Sequence, residues 1–148
     1  MEDIILTNEI ISKIKIDVFD LTRKLMGGDL KAVILYGSCA RGDYTKDSDV
    51  DIVLLTGCGR MEVKKYDDGL DSIATKLAMK YFAVVNFVCL PQDEFLKKKE
   101  WYGYFQNIER EGEVIYPELF TAVYACIKSA VVAVTTTTQY LTLPEDSL

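Results

Sequence analysis

Two short apolar runs joined by a polar stretch constrain this chain most. Leu30–Tyr36 (LKAVILY) and Val50–Leu55 (VDIVLL) are brief, apolar and rich in β-branched residues, so they read as buried strands. The connection Gly37–Ser48 is polar; it opens on Gly37-Ser38 and runs into Asp49-Val50-Asp51. A third run, Ala83–Leu90 (AVVNFVCL), reads as another strand, stopped by Pro91.

Helical periodicity fills the intervals. Ile10, Ile11, Ile14, Val18, Leu21 and Leu25 recur every three or four residues, which predicts an amphipathic helix over 8–25. Thr7 or Asn8 can cap it and Gly27-Gly28 ends it. Leu70, Ile73, Ala74, Leu77, Ala78 and Tyr81 predict a second helix over about 66–81, and shorter helices are expected over 93–99 and 102–110. Glu113–Tyr116 can add a short strand. Helices alternating with buried strands give an α/β fold.

The linker between the first two strands carries chemistry. At Gly37 the missing Cβ lets a phosphate approach the backbone. Ser38 opens a short helix over 39–41, and its hydroxyl and the free amides there suit a triphosphate oxygen. Asp49 and Asp51 flank one strand residue, so their side chains leave on the same face. Paired carboxylates repel unless a cation lies between them, and a hard divalent ion such as Mg²⁺ carrying nucleotide phosphates is the natural third party. The bland alternative is a polar hairpin in which Asp49 caps a turn.

Composition narrows the classes. Seventeen basic against 23 acidic residues give a net charge of −6, which argues against gripping a DNA or RNA backbone. The chain has no histidine, so Ser-His and Cys-His catalysis and His-ligated zinc are excluded. Cys39, Cys58, Cys89 and Cys126 form no CxxC and read as reduced thiols of a cytoplasmic protein. The first residues, MEDIILTNEI, lack the basic and long apolar regions of a secretory signal. Composition breaks after Pro117. The apolar piece Leu119–Val134 contains Lys128 and is short for a membrane span, so residues 118–148 read as a packed helix or a tail of unknown role.

Other residues stay open at this level. Arg41 can touch a triphosphate or pair with Asp43 or Asp47. Tyr44 and Lys46 can contact base or acceptor, or be solvated loop residues. Lys64-Lys65 and Lys97-Lys98-Lys99 suit a solvated helix face or a docking patch. Trp101, Tyr102, Tyr104 and Phe105 suit core or a protein interface. Cys39, beside the Gly-Ser turn, reads as a small packing residue.

The stretch LYGSCARGDYTKDSDVDIVLL resembles the signature of the DNA polymerase beta-like nucleotidyltransferase superfamily, and is most similar to its minimal nucleotidyltransferase (MNT) group, GS-x10-DxD. The likeness continues in Tyr66-Asp67, in Val84–Val88 and in Asn107–Gly112, and places an MNT domain over residues 1–117. It implies a small mixed sheet with helices mainly on one face. The groove would lie over Gly37, Ser38, Asp49 and Asp51. It also implies Mg²⁺-dependent transfer of a nucleoside monophosphate, AMP from ATP, to a hydroxyl. Many minimal members are antitoxins of HEPN-domain ribonuclease toxins, and some adenylylate a toxin tyrosine. In the superfamily the next core strand supplies a third metal carboxylate. Here that strand reads Val84-Val85-Asn86-Phe87-Val88, which puts the amide of Asn86 at that ligand position. An amide can ligate through its carbonyl but cannot take a proton from the acceptor. Three readings follow: an active transferase, an antitoxin that acts by binding alone, and a small-molecule transferase of the aminoglycoside-modifying kind.

Overall fold

The structure is a computed structural model and describes residues 5–115. Tyr116, Cys126 and the segment 118–148 lie outside the described residues. Helix α1 (Asn8–Met26) begins where the Thr7 hydroxyl accepts the Ile10 amide at 3.2 Å, so Thr7 is the cap. It ends at Gly27, whose φ of +55° a side chain would resist. A 3₁₀ turn over Gly27–Asp29 leads into β1 (Leu30–Tyr36), followed by α2 (Ser38–Arg41) and β2 (Val50–Thr56). A second 3₁₀ turn (Val63–Tyr66) precedes α3 (Asp67–Tyr81). Then come β3 (Val85–Pro91), α4 (Gln92–Lys98), α5 (Gly103–Glu111) and the two-residue β4 (Glu113–Val114).

The sheet order is β3-β2-β1-β4; β1 runs antiparallel to both β2 and β4, and β2 runs parallel to β3. The parallel pair needs a crossover, and α3 provides it. Pro91 forms the last residue of β3 rather than stopping it one residue earlier. An edge strand tolerates a residue without an N–H.

The sheet is covered unequally. Val33, Leu35, Val50, Ile52, Leu54 and Val85 pack with α1 and α3 in the larger core. On the other face Ile34, Val53 and Leu55 pack with Phe95 of α4 and with Phe105 and Ile108 of α5. The two long helices therefore lie on one face, and two short ones cover part of the opposite face. Because strand side chains alternate, Tyr36, Asp51 and Asn86 belong to the face that carries α4 and α5. Val50 and Ile52, at 0% and 1% exposure, anchor β2 on either side of Asp51. A one-residue slip would bury the carboxylate and expose both of them, so its direction is fixed by the core. Among the described residues no helix is long and apolar enough to cross a membrane.

Candidate active site

Strand register brings the site together. Across the three adjacent strands β1, β2 and β3, Tyr36 pairs with Asp51 and Asp51 with Asn86, giving a lateral row on one face. Asp49 immediately precedes β2, after a turn in which the Thr45 amide donates to Ser48 Oγ at 2.8 Å. The two carboxylates meet at one atom: Asn86 Nδ2 donates to Asp49 Oδ2 at 3.2 Å and to Asp51 Oδ1 at 3.1 Å.

The glycine–serine bend lies against the same carboxylate. Gly37 has φ +72° and ψ −153°, a conformation that suits glycine alone. A Cβ there would lie 2.7 Å from Asp51 Oδ2. The spacing seen in the sequence thus becomes direct contact between bend and acidic pair. Ser38 follows as the first residue of α2, whose turn closes through Ala40 and Arg41 amides on Gly37 O. Behind the bend, Cys39 is buried and its thiol donates to Asp49 O at 3.5 Å. Burial first, then the Asp51 charge, pushes that thiol up, so it stays protonated and packs as expected.

The remaining sequence candidates separate. Arg41 is tied by Nε to Asp43 (3.3 Å) and by Nη1 to Glu111 (3.4 Å), the latter a partner 70 residues away that the sequence did not single out. Tyr44 donates its hydroxyl to Asn8 Oδ1 at the start of α1 and packs against the larger core, while Lys46 is exposed. Lys65 pairs with Asp29, Lys98 with Glu94 and Lys99 with Glu109. Within the aromatic cluster Phe105 is core and Trp101 is exposed. Tyr104 stands edge-on to Tyr36 with ring centroids 5.9 Å apart. Burial, then Tyr36 and the Asp51 charge, push the Tyr104 hydroxyl up. Tyr104 is thus a site neighbour that sequence spacing did not mark, because α5 lies over 50 residues downstream.

Among the described residues no three Cys, Asp or Glu side chains converge as a metal cluster. The groups present are two carboxylates and the Asn86 amide, which turns its nitrogen to them here and carries a carbonyl oxygen at its other end. That set fits Mg²⁺, which is commonly held by one or two carboxylates with substrate phosphates and water completing the shell.

The nucleotidyltransferase domain family model matches residues 5–110. Over 89 residues the chain is 39% identical to a Methanocaldococcus jannaschii protein named "putative protein adenylyltransferase", an alignment covering 60% of this chain and 81% of that one. A second protein of the same organism, with the same description, is 32% identical over 98 residues, 64% of this chain and 93% of its own length. A solved structure described as "the toxin-antitoxin with AMP-PNP" shares the fold at TM-score 0.50 and 20% identity, over 80% of this chain and 90% of that one.

Proposed function

The chain belongs to the nucleotidyltransferase domain family, and from that premise we propose that it transfers AMP from ATP to a tyrosine hydroxyl of a partner HEPN-type toxin, acting as its antitoxin. The observation that carries this reading is the convergence of Asp49 and Asp51 on one point beside the Gly37–Ser38 bend. Asp49 and Asp51 would hold Mg²⁺, with Asn86 able to offer its carbonyl. Gly37 and Ser38 would receive the triphosphate, and Arg41 would reach a phosphate by leaving Asp43 and Glu111. When bound, the cation neutralises phosphate charge. In the transfer the acceptor oxygen bonds to the α-phosphorus, the bond to the β-phosphate oxygen breaks, and pyrophosphate leaves.

The choice of acceptor follows from what the residues cannot do. Asn86 cannot accept a proton, and the chain has no histidine. With both aspartates engaged on a cation, Gly37, Ser38 and Asn86 leave no free base beside it, which favours an acceptor that can give up its proton to solvent. A phenol, with a pKa of about 10, does so far more readily than an aliphatic alcohol. This favours tyrosine over a sugar or aminoglycoside hydroxyl. A cytoplasmic setting, where ATP and Mg²⁺ are at hand, belongs to the same reading. The names of the two archaeal relatives support protein adenylylation, and the description of the structural neighbour supports a toxin partner.

The test is intact-mass spectrometry of a cognate toxin after incubation with this protein, ATP and Mg²⁺. One AMP adduct or more on a toxin tyrosine is expected, and Asp49→Ala or Asp51→Ala should abolish it. An adduct indifferent to both changes would refute the assignment. A second reading, neutralisation by binding alone, is favoured by the amide at position 86. It predicts that Asp49→Ala still protects cells from the toxin.

A further inference from the structure

We infer that Asn86 is a stand-in for the cation: its side-chain NH₂ stands between Asp49 and Asp51 in the cation's place and turns over when a cation enters. The inference rests on the proposed reading only for the identity of the cation. Its basis is geometric. One nitrogen lies 3.2 Å from Asp49 Oδ2 and 3.1 Å from Asp51 Oδ1, and an amide NH₂ has two hydrogens, one for each carboxylate. Among the described residues neither aspartate has a Lys or Arg ion-pair partner, and this amide is the side-chain donor that bonds both of them.

An amide has two chemically opposite ends. The nitrogen end suits the acidic pair when it is alone. A hard cation at the same point needs oxygen lone pairs, which Nδ2 does not offer. A half-turn of the terminal torsion presents Oδ1 instead, without moving β3. Asparagine therefore gives the site a stable resting state that aspartate at position 86 could not. A third carboxylate would add like charge to a pair already unneutralised.

Two measurements on the purified protein, with no nucleotide or toxin, test this. Thermal unfolding in chelator should show Asn86→Asp melting several degrees below the parent, with added Mn²⁺ recovering the loss. Asn86→Asp should also bind Mn²⁺ about tenfold more tightly, as expected from one more charged ligand. Asn86 is exposed, so the substitution removes no core contact. In ¹H–¹⁵N spectra the side-chain amide pair missing from Asn86→Asp identifies Asn86. Adding Mg²⁺ should move that pair together with the backbone amides of Asp49 and Asp51. Equal melting of parent and variant in chelator would overturn the inference. So would an unmoved Asn86 pair while Mg²⁺ shifts the aspartate signals. The chelator comparison needs no cation, so it decides the resting-state role even for a protein that transfers nothing. Conversely, toxin adenylylation without the chelator effect would leave the proposed function standing and remove this inference alone.

Discussion

Gly37→Ala tests how tightly the bend and the acidic pair depend on each other. The backbone at Gly37, φ +72° and ψ −153°, lies in a region that costs a side-chain-bearing residue about 1–3 kcal/mol. A new methyl would also meet Asp51 Oδ2 at 2.7 Å, closer than a carbon and a carboxylate oxygen can sit. The carboxylate must swing away, which breaks its 3.1 Å hydrogen bond from Asn86. For a chain of this size, about 1–3 kcal/mol corresponds to a fall in Tm of roughly 3–10 °C. Gly42→Ala is the control. Gly42 also has positive φ, +85°, but nothing lies within 4 Å of where its Cβ would be. That variant should carry only the left-handed backbone cost of about 1–2 kcal/mol and leave the acidic pair alone. Thermal unfolding and Mn²⁺ binding should be measured for both. Both variants should melt lower, and only Gly37→Ala should lose Mn²⁺ affinity. If Gly37→Ala binds Mn²⁺ like the parent, the contact between bend and carboxylate does not organise the site.

Two further outcomes concern the side of the sheet that carries the site. Gly112 ends α5 with ordinary backbone angles, yet a Cβ there would lie 2.4 Å from Ile108 O and 2.6 Å from Ile34 Cγ2. Gly112→Ala should therefore destabilise by about 1–3 kcal/mol through overpacking, read as a lower urea midpoint at unchanged slope; an unchanged midpoint would contradict the packing described. Glu94 is held by Arg60 and then Lys98 to about 2, below the ordinary 4.5. Its folded pKa is depressed, so its stabilising contribution is complete above about pH 4.5 and is lost as pH falls towards about 2. Thermal unfolding in low salt should show the parent's advantage over Arg60→Gln at about pH 6, shrinking at about pH 2.5. Because Arg60 is exposed, 1 M salt should also reduce it. An advantage independent of pH would exclude the pairing as its source.

Short-range pattern made much of this protein legible before any coordinates. The alternation and length of Leu30–Tyr36 and Val50–Leu55, the Thr7 cap and the three-to-four spacing in α1 and α3 are local properties. Each element is specified within a few residues by sterics and by which face can be buried. The pair Asp49 and Asp51 is local in the same sense: one residue separates them, and Asp49 enters β2 directly, so both carboxylates come within reach of one point. Tertiary structure decided what those carboxylates meet. Asn86 lies 35 residues beyond Asp51, and the register of β2 on β3 that aligns them is set by Val50, Ile52 and Val85 sinking into the larger core. The Glu111 partner of Arg41 and the edge-on Tyr104 come from α5, which is docked by Phe105 and Ile108. Hydrophobic burial is non-directional, so an apolar run shows that it will be covered without naming its cover. Which distant side chains face each other is settled only when strands and helices close on a common core.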